Sequence, residues 1–177
     1  MMDRARVAEA LIREAFNSVA YPGDDNLRNS SEGVEPYRVE AEFRGKNDWT
    51  LLAPEFIDQA PGGLASALSF LSHAAFRFYI AAYMLADIDG KLLRADPFFH
   101  LTYGFDDTSK VEHVNPRRYG TMTWFDYAQD RFKEFDGAQR RAVAAYLEYK
   151  KASGALPEEQ EEIIDAALER FWLRDAA

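Results

Sequence analysis

Arg77 stands in the run Phe76-Arg77-Phe78-Tyr79-Ile80, where a guanidinium left unpaired among aromatic neighbours would carry a heavy desolvation penalty. His73 lies one helical turn before it, and Tyr79 and Tyr83 follow on the same apolar stretch. These types at this spacing suit an anion pocket. Arg77, His73 and a tyrosine hydroxyl would grip a carboxylate or phosphate, with His100 as a further donor. Two other readings fit the same residues: an ion pair to a carboxylate on another helix, or an arginine whose stem is covered while its head reaches water. A second candidate is Arg117-Arg118-Tyr119, which follows Asn115-Pro116. It suits a phosphate or an acidic partner, and equally it suits hydrogen bonding to the last carbonyls of a helix.

Catalytic and metal-binding patterns are not assembled. The chain has 3 His and 0 Cys, which removes thiol nucleophiles, disulfide frameworks, cysteine zinc sites and iron–sulfur clusters together. A histidine triad would have to use His73, His100 and His113. Asp96 and His100 are four apart, but Asp96 precedes Pro97 and its carboxylate is expected to cap a helix start. Asp87-Ile88-Asp89-Gly90 departs from a calcium loop, because its glycine comes two positions early and its twelfth position is Phe98. Gly45-Lys46 lacks the flanking residues of a phosphate-binding loop, and no serine sits in a nucleophile elbow. The expectation is no metal and no cofactor, and the lack of an assembled catalytic set leans against an enzyme.

The elements that must position these residues read as helices. Asp3 to Val19 carries Val7, Leu11, Ala15 and Val19 at intervals of four, with Ala8 and Ile12 beside them. Residues 24–34 are polar and rich in turn formers, which predicts a mobile surface loop. Residues 36–44 alternate as an edge strand would, yet Pro36 at a first turn, Gly45 as a stop and the pair Val39 and Phe43 favour a short helix. Pro54 to Ala60 allows two turns at most. The central element runs from Leu64 to Ala86, apolar all round and therefore buried, with Ser72 as a cap or kink. Asp96-Pro97 opens a short helix through Tyr103. Thr123 with Asp126, and Asp136 with Gln139, form capping boxes, and Pro157 opens a final helix with Glu158, Glu159, Glu161 and Glu162 at its positive pole. The sum is one all-α domain over residues 1–177, built from six or seven helices.

With 21 Lys and Arg against 30 Asp and Glu, the net charge is -9. That balance argues against nucleic acid, which needs a basic surface. No apolar run approaches the ~20 residues of a membrane span, and the N-terminus lacks the pattern of a secretory signal. A cytoplasmic setting follows as the expectation.

Taken together, the segments at 67–90, 96–104, 115–125 and 142–150, with Phe43-Arg44-Gly45-Lys46 before Trp49 and Phe171-Trp172 near the end, resemble a family of uncharacterised bacterial proteins of unknown function. Relatives share an FRGK-W segment, an FRYYLPAY-like central helix and a terminal FW. Where they often carry Leu-Pro after the paired aromatics, this chain has Ile80-Ala81. The resemblance implies a small bacterial protein and brings no activity. Function is open on these grounds, with two readings. One is a non-enzymatic protein-binding or regulatory module that docks a basic protein partner. The other is a binder or enzyme acting on a small anionic ligand through the His73, Arg77 and tyrosine pocket.

Overall fold

The computed structural model describes residues 2–174. Among them the chain is all-helical in its regular structure, as its periodicity implies, with no strand beyond the isolated bridges Arg28↔Leu71 and His113↔Thr123. Ten α-helices are present among the described residues: α1 (Met2–Phe16), α2 (Glu35–Phe43), α3 (Pro54–Gln59), α4 (Ala67–Phe70), α5 (His73–Ile88), α6 (Pro97–Thr102), α7 (Pro116–Tyr119), α8 (Trp124–Phe132), α9 (Gly137–Ala152) and α10 (Glu158–Ala167). None is long and apolar enough to cross a membrane. Contacts divide the chain into two compact units, Ile12–His100 and residues 2–11 with 101–174.

The unit Ile12–His100 is organised by α5, whose Phe76, Tyr79, Ile80, Ala81 and Met84 are fully enclosed. The expected 64–86 helix is divided in two. Leu71 takes an extended backbone (ψ 140) between α4 and α5, and the Ser72 N–H donates to the Leu27 carbonyl at 2.9 Å. Ser72 is thus a cap: its hydroxyl accepts from the Ala75 N–H and donates to the Asn26 carbonyl. The same contacts anchor part of the 24–34 segment. Leu27 is fully buried, Arg28 pairs with Glu40, and the Asn29 N–H reaches the Phe70 carbonyl at 2.8 Å. Residues 36–44 are helical as favoured, and α2 buries Pro36, Val39 and Phe43.

Helix α1 ends at Phe16, three residues before Val19. It buries Ala8, Ile12 and Phe16, whereas Val7 is 51% exposed. The enclosed stripe is displaced by one residue from the one read off the sequence, because Phe16 and Ile12 bring more apolar area than Val7 and Ala15. Beyond it, the Trp49 indole N–H donates to the Phe16 carbonyl at 3.3 Å, satisfying one of the helix's last acceptors.

The other unit is held by a cluster of packed rings. Phe105 lies 5.3 Å from Phe171, and Phe132 lies 4.8 Å from Trp172. The Trp172 indole N–H donates to the Leu101 carbonyl at 2.8 Å. Phe171 and Trp172 are adjacent yet both buried, where α10 continues into a wide π-helical turn over Leu168–Trp172. Both capping boxes form as expected. Helix α8 stops at Phe132, short of the expected Phe135, and the 105–120 stretch contains α7.

Candidate functional site

The residues of the expected anion pocket diverge. His73 and Arg77 are half-buried in the first half of α5, while Tyr79 and Tyr83 are enclosed. The two pairs are about 120° apart around the helix. The Tyr79 hydroxyl donates to the Lys46 carbonyl at 2.8 Å, so it braces the turn after α2. Burial, then the charges of Tyr79 and Asp58, raises the Tyr83 hydroxyl's pKa well above its ordinary value. That hydroxyl has no hydrogen-bond partner among the described residues. Tyr83→Phe should therefore raise stability by about 1 kcal/mol in chemical denaturation; a loss instead would show that the hydroxyl is bonded in solution. The His100 ring packs 6.4 Å from Phe76 and 5.3 Å from Phe99.

Arg117 and Arg118 lie in the other unit, exposed on α7, and there the surrounding side chains do converge. Tyr103 meets Trp124 edge-on at 5.2 Å, Trp124 meets Tyr127 at 5.9 Å, and Tyr127 meets Tyr119 at 5.9 Å. Each of these contacts is T-shaped, the preferred arrangement for ring quadrupoles. The Arg118 guanidinium carbon lies 5.3 Å from the centre of the Tyr119 ring. Tyr103 is 41% exposed, and Tyr119, Trp124 and Tyr127 are half-buried. The result is a ladder of four rings ending in a cation and open to solvent along its length.

Local sequence builds the ladder. The Thr123 and Asp126 capping box starts α8 and places Trp124 and Tyr127 three apart on one face. Asn115 caps α7 by accepting from the Arg117 N–H. Backbone bonds from the Val114 N–H to Met122 and from the Trp124 N–H to Glu112, each 3.0 Å, clamp the two starts together. Gly104, with φ +95, lets the residue after Tyr103 pass against α8: a Cβ there would meet the Ala128 Cβ at 2.7 Å and the Trp124 carbonyl oxygen at 2.9 Å.

Charge around the ladder is uneven. The nearby aspartates are engaged locally: Asp126 in its capping box, Asp106 on Ser109, Asp107 with Lys110 and Arg170, and Asp130 with Lys133, while the Glu112 charge acts on Tyr103. Arg117 has no ion pair among the described residues. Burial raises the pKa of Tyr103 and Tyr127, so both are neutral donors at physiological pH. Burial also pushes Arg131 down to about 10, opposed by Tyr127, which leaves it charged at neutrality. Such an arrangement offers flat apolar faces, hydroxyl and indole donors and guanidinium groups, which is contact chemistry.

The sequence pointed to Arg117, Arg118 and Tyr119 but not to Tyr103, Trp124 or Tyr127. The available signal was the second stripe of α8: Trp124 and Tyr127 lie three apart, beside the buried stripe of Ala128 and Phe132.

Residues 5–176 match the profile of a family of unknown function (DUF6714), and the chain belongs to that family. No curated protein and no solved structure matches it.

Proposed function

We propose that this member of the family is a non-enzymatic protein-binding module, and that it contacts its partner through Tyr103, Tyr119, Trp124 and Tyr127 with Arg117 and Arg118 at the rim. The observation that carries this reading is the continuous, partly exposed ring ladder with the Arg118 guanidinium at its end. Tyr, Trp and Arg dominate the residues that anchor protein interfaces, because each covers a large area with few rotamers to freeze. The partner is a protein that is basic overall but presents carboxylates to the Arg117 and Arg118 rim, where a like-charged face would be repelled. The net charge of -9 and the acidic first turn of α10, with Glu158, Glu159 and Glu161, supply its long-range attraction, and the ladder supplies the short-range grip. A cytoplasmic setting fits a chain with 0 Cys.

Paired capture from the source cells tests this, using the wild type and the Tyr103→Ser, Trp124→Ser double variant. One stoichiometric basic protein should stay on the wild type at low salt, leave at high salt, and fail to bind the double variant even though its helical circular dichroism is unchanged. Equal retention by both, or no specific protein on either, would overturn the reading.

A further inference from the structure

In the unit Ile12–His100, the turn after α2 and the start of α3 enclose a surface pocket of about 360 Å³, within the size range of small-ligand sites. Its walls include Lys46, Asp48, Leu51, Leu52, Ala53 and Phe56. The Lys46 ammonium sits 4.7 Å from the centre of the Phe56 ring, which holds it at the pocket by cation–π attraction. Lys46 has no ion pair among the described residues. The acids nearest in sequence have partners of their own. Asp48, in the pocket wall, accepts from the Thr50 N–H and hydroxyl at 2.9 and 2.6 Å, Glu42 accepts from the Gly62 N–H at 2.8 Å, and Glu40 accepts from Arg44 and Arg28.

The turn carrying Lys46 is fixed from three sides. The Gly45 N–H donates to Asp24 Oδ1 at 2.8 Å, the Lys46 N–H donates to the Phe43 carbonyl at 3.0 Å, and the Lys46 carbonyl accepts from Tyr79 at 2.8 Å. Asp24 is itself held by the Tyr21 hydroxyl, and that bond together with the Gly45 N–H keeps its carboxyl below the usual carboxylate range. A ligand would therefore meet a cation already in place, with little ordering left to do. Beside it lie apolar surfaces from Leu52, Phe56 and Leu51, the last 79% exposed.

We infer that this pocket binds a small organic monoanion with an apolar body, its carboxylate on the Lys46 ammonium and its ring or chain against Leu51, Leu52 and Phe56. One compact cation suits one carboxylate. A phosphate dianion favours several convergent donors or a guanidinium fork, which this wall does not present.

Backbone amide NMR titrations of the full chain with phenylacetate, phenylacetamide and inorganic phosphate test the assignment. Phenylacetate should shift the amides of residues 45–56 saturably at millimolar concentration and bind about tenfold more tightly than phenylacetamide. Phosphate should leave those amides unmoved. Lys46→Met keeps the turn's backbone bonds and should abolish the preference for acid over amide. Ala53→Trp, a change at an exposed wall residue, should fill the pocket and block both probes. The assignment is overturned by no saturable shift with phenylacetate, by equal affinity for acid and amide in the wild type, or by discrimination that survives Lys46→Met.

Discussion

Gly104→Ala is expected to destabilise the protein by about 3 kcal/mol and to disturb the ring ladder at the same time. Two costs combine. At φ +95 an alanine pays left-handed strain of roughly 1–2 kcal/mol. Its Cβ would also stand 2.7 Å from the Ala128 Cβ and 2.9 Å from the Trp124 carbonyl oxygen, and a helix backbone cannot swing aside as a flexible side chain can. Overpacking of this kind adds roughly 1–3 kcal/mol. Relief requires α8 to retreat, which separates Trp124 from Tyr103. Gly154→Ala is the control, since its φ is +66 and its Cβ would meet nothing within 4 Å. Urea unfolding should place Gly104→Ala well below Gly154→Ala, and the near-ultraviolet aromatic signal should fall only in the former. Equal losses would mean that the close approach contributes nothing.

Asp58→Ala should cost about 3 kcal/mol, with Asp58→Asn costing roughly half of that. Asp58 is 6% exposed in α3, and its Oδ1 accepts the N–H groups of Leu93, Arg94 and Ala95 at 2.8, 2.7 and 3.0 Å. Alanine leaves all three donors without their acceptor, whereas asparagine keeps a carbonyl oxygen but loses the charge. Burial alone would raise the Asp58 pKa, but the three donors and the Arg94 charge outweigh it and hold the carboxyl below its ordinary value. A carboxylate depressed on folding adds stability that is complete above its unfolded pKa of about 3.9 and is lost as pH falls through the folded value. Thermal melts from pH 7 to pH 2 should therefore show part of the acid limb below about pH 4 missing in Asp58→Asn. Parallel acid limbs in wild type and variant would contradict this role.

The features legible in the sequence are those decided within a turn or two of chain. Thr123 with Asp126 and Asp136 with Gln139 cap helices wherever the fold places them, and Pro36 and Pro97 stand in first turns because their missing N–H is unneeded there. The all-round apolar α5 could only be a core helix. What was hidden depends on distant partners. The break at Leu71 is made by the backbone of residue 27, and the choice of Ala8 over Val7 follows from what α1 packs on. The ladder draws its rings from residue 103, α7 and α8, so no single stretch displays it. Periodicity identifies a ring's own helix face but not which faces stay uncovered. His73 and Tyr79 illustrate the converse: six residues apart in the sequence, they serve different faces of one helix.

The most direct test of the binding surface is site-specific photo-cross-linking in the source cells. Benzoylphenylalanine is placed at Tyr119, where it keeps an aromatic ring in the ladder, or at Glu159 on the acidic turn of α10. The position-119 probe should yield one discrete protein adduct that Trp124→Ser suppresses. An adduct from position 159 alone, an adduct at 119 indifferent to Trp124→Ser, or no adduct at either position would contradict the ladder as the partner's contact surface.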